Sequence, residues 1–386
     1  MESLWDKIKS RLASGKELAS MGFADIVGTG IGGAFWLILA SLIEPDSYGE
    51  INYILSLTGL GFGIALIGVR ETITVYTAKK TPLASTLFII STLFTAVAFT
   101  VFSIIFLRFD IGFLILAYVI NDLCLGYLIG SRLMTEYSKY VLIQKGLSFC
   151  LGFGFFFLFG YQGIVFALAL SYIHFIIIYV KVIRKSKMNF SLLKVNWKFI
   201  TDNYFMSIST ILRSNLDKIL IVPLLGYSIL GNYSLSLQVF AVMMLFPRLV
   251  FRYILPYDSI GVENKKLKKL TIVFGVVVAF AGFLLSPIVI PLIFPKFTSA
   301  IVSIQIMGFA AISSSINQIQ TSKMLSVERS RIVFVSRISS LIVIILGIIL
   351  LGPAMGDVGI ALAFLLSSIA LTVSMFIIER LTRQKQ

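Results

Sequence analysis

The side chains able to do chemistry in this 386-residue chain are mostly charged or polar groups set inside apolar sequence. Arg213 and Asp217 stand four apart, so on a helix they share one face and can pair. A guanidinium fork matches phosphate oxygens, which makes Arg213 a candidate cation for a diphosphate; a self-neutralising Arg213–Asp217 pair is the bland alternative. Asp25 and Arg70 lie at similar distances from the ends of two neighbouring apolar runs, as a structural ion pair would, or as an arginine receiving an anionic headgroup would. Asp122 stands mid-run beside Asn121 with no basic residue within a turn. A carboxylate in that setting either stays protonated or binds a coupling cation. Ser314, Asn317, Gln318 and Thr321 follow i, i+3, i+4, i+7 and fall on one helical stripe. Such a stripe glues helices together or lines a wet cavity that recognises sugar hydroxyls. Candidate substrate contacts are therefore Arg70, Arg213, Ser314, Asn317, Gln318 and Thr321; candidate ion-coupling carboxylates are Asp25, Asp122 and Asp217. His174 reads as a packing histidine or a proton relay, and Lys218 and Arg248 as snorkelling cations. His174, Cys124 and Cys150 have no metal-ligand spacing, so neither a metal nor a cofactor is expected beyond a coupling Na+ or H+.

The elements that must hold these groups are membrane-spanning helices. Hydrophobic residues make up 58% of the chain and charged residues 13%, about half the charged share of a soluble domain, roughly 25%. The apolar runs are long enough to cross the hydrocarbon core as helices, and barrel-type alternation is absent. Twelve spans are expected, near 19–43, 50–76, 84–107, 112–134, 141–159, 163–183, 200–224, 229–251, 270–293, 299–322, 333–352 and 358–378. Basic residues collect at the termini and in every second gap, among them Lys79, Lys80, Arg132, Lys139, Lys145, Arg184, Lys185, Lys187, Lys265, Lys266, Lys268 and Lys269. Arg108 and Lys296 stand in the opposite gaps. That asymmetry predicts cytoplasmic termini in a multi-pass protein of the cytoplasmic membrane. It also accounts for the net charge of +15, which is dispersed over short loops and so does not point to nucleic acid. Amphipathic patterns predict interfacial helices over 1–18 and 185–198, drawn to membrane lipid. No cleavable leader is expected, because residues 1–18 are charged.

Shifting the chain against itself by 182 residues sets Leu42, Ile43, Gly49 and Leu55 on Leu224, Leu225, Gly231 and Leu237. The match predicts two six-helix lobes related by a pseudo-two-fold axis along the membrane normal. They are an N-terminal lobe over 1–183, a basic cytoplasmic linker over 184–199, and a C-terminal lobe over 200–386. Parallel repeats of this kind put the substrate path at their interface.

Several segments resemble the polysaccharide (O-antigen type) flippases of the multidrug/oligosaccharidyl-lipid/polysaccharide (MOP) exporter superfamily. "LASLIEPDSYGEINYILSL" is similar to that family's first turn, and "GVRETITVYTAKK" to the ending of its second helix. "LRSNLDKILIVPLLGYSILGNYSLSLQ" is similar to its Asp-containing seventh helix and following turn, and "PLIFPKFTSAI" to the turn between helices nine and ten. Pro295 stands where a glycine is usual, and the proline often found early in the seventh helix is missing near Tyr204. The resemblance implies an all-α, V-shaped polytopic fold, and alternating-access transport of a polyprenyl-diphosphate-linked oligosaccharide for cell-surface glycan biosynthesis. It further implies no enzyme activity, polysaccharide-assembly proteins as partners, and a monomeric transporter. The peptidoglycan-precursor flippases of the superfamily carry two further helices, so the twelve expected here favour the polysaccharide branch. Two rivals remain: a cation-coupled drug antiporter of the same superfamily, which should have carboxylate-dominated lobes, and a membrane glycosyltransferase or polymerase, which should have a longer outer loop with catalytic carboxylates or histidines.

Overall fold

The structure, a computed structural model, describes residues 4–185, 188–262 and 264–383, with the side chains of 4–19, 185 and 383 outside the description. Its regular elements are helical, and each of the twelve expected spans finds a helix. They are Leu4–Leu42, the pair Pro45–Ala65 and Arg70–Ala78, Ala84–Phe106, Phe109–Gly130, Met134–Phe159 and the run from Gly163 to Lys185 with a 3-10 turn at Ile173–Phe175. Then come Trp197–Leu225, the pair Tyr227–Met243 and Leu245–Ser259, Lys265–Ile293, Ala300–Ser326, Ser330–Met355 and Asp357–Arg383. Among the described residues nine helices are long and apolar enough to cross a membrane, or eleven if each bent pair is one span. The remaining helix, Trp197–Leu225, has the length, at 29 residues, but carries Lys198, Asp202, Arg213, Asp217 and Lys218. This is an all-α, multi-pass membrane protein.

The first expected interfacial helix continues unbroken into the first span, and its side chains lie outside the described residues. The second shortens to Phe190–Val195, where the Asn189 side chain accepts from the Leu192 N–H at 3.1 Å and caps the helix. Lys187, on its expected basic face, lies outside the described residues. The ninth span runs through Pro287 and Pro291 as one helix, and Pro295 opens the 3-10 turn beyond it.

The chain forms two compact units, Met1–Trp36 with Ile54–Asn215, and Leu37–Tyr53 with Leu216–Gln386. In the first unit the first and fifth spans run alongside each other in the same direction. Ser20 bonds Ser138 at 3.0 Å at one end, and Phe35 packs with Phe149 and Phe153 at the other. The second span bends by 42° between Ala65 and Arg70. The break leaves backbone donors unpaired by the helix, and neighbouring spans take them up, with Ser91 Oγ accepting the Gly68 N–H at 2.8 Å. The fourth span reaches the short helix Arg70–Ala78 through a small-residue stripe. A Cβ on Gly126 would stand 2.8 Å from the Arg70 carbonyl oxygen, and one on Gly130 would stand 2.6 Å from that of Thr74.

In the second unit a core of Ile221, Leu230, Tyr233, Met307, Ile348 and Ile360 draws on spans seven, eight, ten, eleven and twelve. Span seven stops at Gly226, whose φ of 90° a side chain would resist. The start of span two meets the start of span eight with the backbones in direct contact. A Cβ on Gly49 would lie 1.9 Å from the Tyr227 carbonyl oxygen, and one on Gly231 would lie 1.9 Å from that of Pro45. Pro45 and Gly49 become Tyr227 and Gly231 under the 182-residue shift, so the contact is reciprocal, as a two-fold relation between these segments requires.

Candidate functional site

Asp122 is not isolated. Its carboxylate meets the Arg70 guanidinium at 2.7 Å and accepts the Arg70 backbone N–H at 3.0 Å. That backbone group opens the helix Arg70–Ala78, so Asp122 both neutralises a cation and caps a helix N-terminus from a different span. The expected partnership of Arg70 with Asp25 is thereby corrected. Asp25 instead accepts the Tyr137 hydroxyl at 3.1 Å, and Tyr137 is the next electrostatic neighbour of Arg70 after Asp122. Spans one, two, four and five thus meet in one polar cluster of Asp25, Tyr137, Arg70 and Asp122. Arg70 keeps a 36% exposed side chain, against 12% for Asp122. The geometry therefore leaves the arginine the accessible member of the pair.

His174 lies at the 3-10 turn of span six, stacked on Tyr140 and bonded through Nε2 to the Tyr140 carbonyl at 3.0 Å. That is the geometry of a packing histidine. Lys145, counted with the gap residues although it falls within the expected span 141–159, lies inside the helix Met134–Phe159. The expectation followed the charge pattern, but a helix can carry a lysine inward when a neighbouring span leaves room for its stem.

Arg213 is half-buried on Trp197–Leu225, in the first compact unit. Asp217, one turn later, belongs to the second, where it accepts the Tyr233 hydroxyl at 2.8 Å. Tyr233 was not foreseen, because it comes from span eight and only packing brings it to Asp217. A second unforeseen polar contact joins Asn232 Nδ2 to Asp357 at 3.3 Å.

The stripe on span ten divides. Ser314 bonds Ser368 at 2.9 Å, and Asn317 donates to the Ser368 carbonyl at 3.1 Å and accepts from Thr372 at 2.8 Å. Both groups hold span twelve. Thr321 is buried, and Gln318 is half-buried. The carboxylates nearer the span ends are also paired, Asp258 with Lys268 and Glu379 with Lys323, each at 2.8 Å. The second unit further holds an apolar cavity of about 620 Å³ between Leu37 and Ile38 of span one, Met243 of span eight, and Phe274, Val278 and Leu285 of span nine.

Comparison with known proteins finds no protein-family model and no curated protein that matches the sequence. Solved structures do match. The lipid II flippase MurJ in an inward closed conformation aligns with TM-score 0.69 at 15% identity, over 93% of this chain and 87% of that one. An inward-facing multidrug resistance MATE transporter of the MOP superfamily aligns with TM-score 0.66 at 12% identity, over 92% and 94%. The chain has the MOP-transporter fold. A MOP superfamily transporter of Pyrococcus furiosus, whose binding pocket is described as reversed in polarity and suggestive of a different function, aligns with TM-score 0.58 at 12% identity, over 97% of both chains. At these identities the likeness establishes the MOP fold and leaves the cargo to be read from this chain's own charges.

Proposed function

We propose that this MOP-fold chain is a flippase that carries a polyprenyl-diphosphate-linked oligosaccharide across the cytoplasmic membrane by alternating access, with both termini cytoplasmic. The observation that supports this most is the state of the deep carboxylates. Asp122 is neutralised by Arg70, while Asp25 and Asp217 accept tyrosine hydroxyls. The accessible member of the one buried ion pair around Asp122 is the cation, with Arg70 36% exposed against 12% for Asp122, and Arg213 is half-buried. Arginines suit a diphosphate through their bidentate geometry. A coupling H+ or Na+ fits Asp25 or Asp217, whose partners are neutral, better than Asp122, whose charge is already balanced.

A second reading, a cation-coupled drug antiporter, draws on the apolar cavity of about 620 Å³, a size suited to a drug-like apolar molecule. One assay separates the two. Purified protein in vesicles is given a fluorescent short-chain polyprenyl-diphosphate sugar in one arm and ethidium in the other. The flippase reading expects the glycolipid to reach the far leaflet with no ethidium flux, and the reverse result rejects it. In the same vesicles Arg213→Ala should slow glycolipid movement by about tenfold or more, the loss of one charge-assisted contact. Arg213→Lys should retain part of the rate, because it keeps the charge but not the fork. An Arg213→Ala protein that moves glycolipid at the normal rate removes Arg213 from the cargo path.

A further inference from the structure

Lys145 lies eleven residues into Met134–Phe159, past the polar opening turns that hold Glu136 and Lys139 and four residues, about 6 Å, inside the expected span 141–159. It is half-buried, and among the described residues no hydrogen bond or ion pair engages its ammonium. An uncompensated cation inside a span is costly, so it calls for an anion. The nearby carboxylates are engaged elsewhere, Asp122 with Arg70 and Asp25 with Tyr137.

Snorkelling along lipid does not describe its stem. A Cβ on Gly28 of span one would stand 3.2 Å from Lys145 Cγ and 3.9 Å from Cε, so the stem is seated in the seam between spans one and five. Gly28 provides the room. The seam then opens. Gly32 shares a helix face with Gly28 and Phe35, both of which meet span five, yet a Cβ on Gly32 would find nothing within 4 Å. Gly146, the residue after the lysine, likewise borders open space. The cation therefore stands at the edge of an unfilled notch, closed further along by Phe35 against the backbone of Gly152.

We propose that Lys145 is a further anion-binding residue of the first unit, taking a phosphate group of a lipid-linked cargo in the notch between spans one and five. The inference rests on the flippase reading, and it places a contact on a residue outside the polar cluster. Arg70 shares its charge with Asp122, whereas the lysine, with no ion pair among the described residues, can exchange its anion as cargo arrives and leaves.

The test measures binding of farnesyl diphosphate and of farnesol to the purified full chain in phosphatidylcholine nanodiscs. The wild type should bind the diphosphate about tenfold or more tightly than the alcohol, as one charge-assisted contact allows. Lys145→Met should lose that preference while keeping farnesol affinity, and Lys145→Arg should retain it. Gly28→Val, which crowds the stem without touching the charge, should lose it too and serves if Lys145→Met does not fold. Inorganic pyrophosphate should compete for the site. Loss of the preference when phosphatidylglycerol is added would assign the lysine to bulk anionic lipid and overturn the cargo role. A wild type that prefers the diphosphate, with a Lys145→Met or Gly28→Val protein that prefers it equally, overturns the proposal and leaves the flippase reading standing. A wild type with no preference rejects the flippase reading itself.

Discussion

Gly49→Ala is expected to remove most of the folded protein, and Gly231→Ala to do the same. A new methyl at Gly49 would stand 1.9 Å from the Tyr227 carbonyl oxygen, 2.8 Å from its carbon and 2.9 Å from the Gly231 nitrogen. All three are backbone atoms, so no rotamer change relieves the overlap; the starts of spans two and eight must separate. Overpacking that side chains can absorb costs about 1–3 kcal/mol, and a backbone clash of this depth should exceed that range. The intrinsic gain of alanine over glycine in a helix, about 1 kcal/mol, does not offset it. Gly30 of span one, where a Cβ meets nothing within 4 Å, is the control. Thermal midpoints and monodispersity in detergent decide the matter. A Gly49→Ala protein with the midpoint of Gly30→Ala would show that the two helix starts do not approach this closely.

Asp122→Ala is the second large effect expected. It strips Arg70 of its counterion at 2.7 Å and removes the acceptor for the Arg70 backbone N–H at 3.0 Å. Breaking a buried pair from one side costs about 3–5 kcal/mol, and solvent reaching the partly exposed arginine reduces that to about 2–3 kcal/mol. Asp122→Asn keeps an oxygen for the backbone donor and should lose less. The double change Arg70→Ala with Asp122→Ala should recover part of the loss, because no unpaired charge remains. Unfolding in detergent, run on the wild type, Arg70→Ala, Asp122→Ala and the double variant, provides the cycle. If the double variant is as unstable as the sum of the two singles, the residues do not act as a pair. If Asp122→Asn leaves transport and its ion dependence unchanged, coupling through Asp122 is excluded and Asp25 and Asp217 remain the carboxylates to test.

The helices were legible in the sequence because burial in lipid forces each apolar run to satisfy its own backbone. That local rule puts a helix at each of the twelve expected spans, nine to eleven of them long and apolar enough to cross a membrane, and the superfamily resemblance followed from turn motifs such as "EPDSYGE". Even a faint internal match carried spatial information: Gly49 and Gly231, aligned by a shift of 182 residues, are the two glycines through which spans two and eight touch. The partners of the charged residues were a different matter. Sequence neighbourhood offered Arg213 as one possible partner for Asp217 and none for Asp122, whereas packing gave Asp217 to Tyr233 and Asp122 to Arg70. A signal for the second existed in the four-residue spacing of Asp122, Gly126 and Gly130, a small-residue stripe that brings a helix close. It does not say which helix comes.

The stripe of Ser314 and Asn317 has the same ambiguity, since a polar face looks alike whether it meets water or the Ser368 and Thr372 of span twelve. Lys145 shows the limit most clearly. By type it counted as one more loop-side basic residue, although it falls within the expected span 141–159, and only the structure shows its stem seated against Gly28 of span one. Chain-local physics determined that this protein crosses the membrane and where. Which charges are cancelled and which stay available is set by contacts between residues far apart in sequence, so only the tertiary structure decides it.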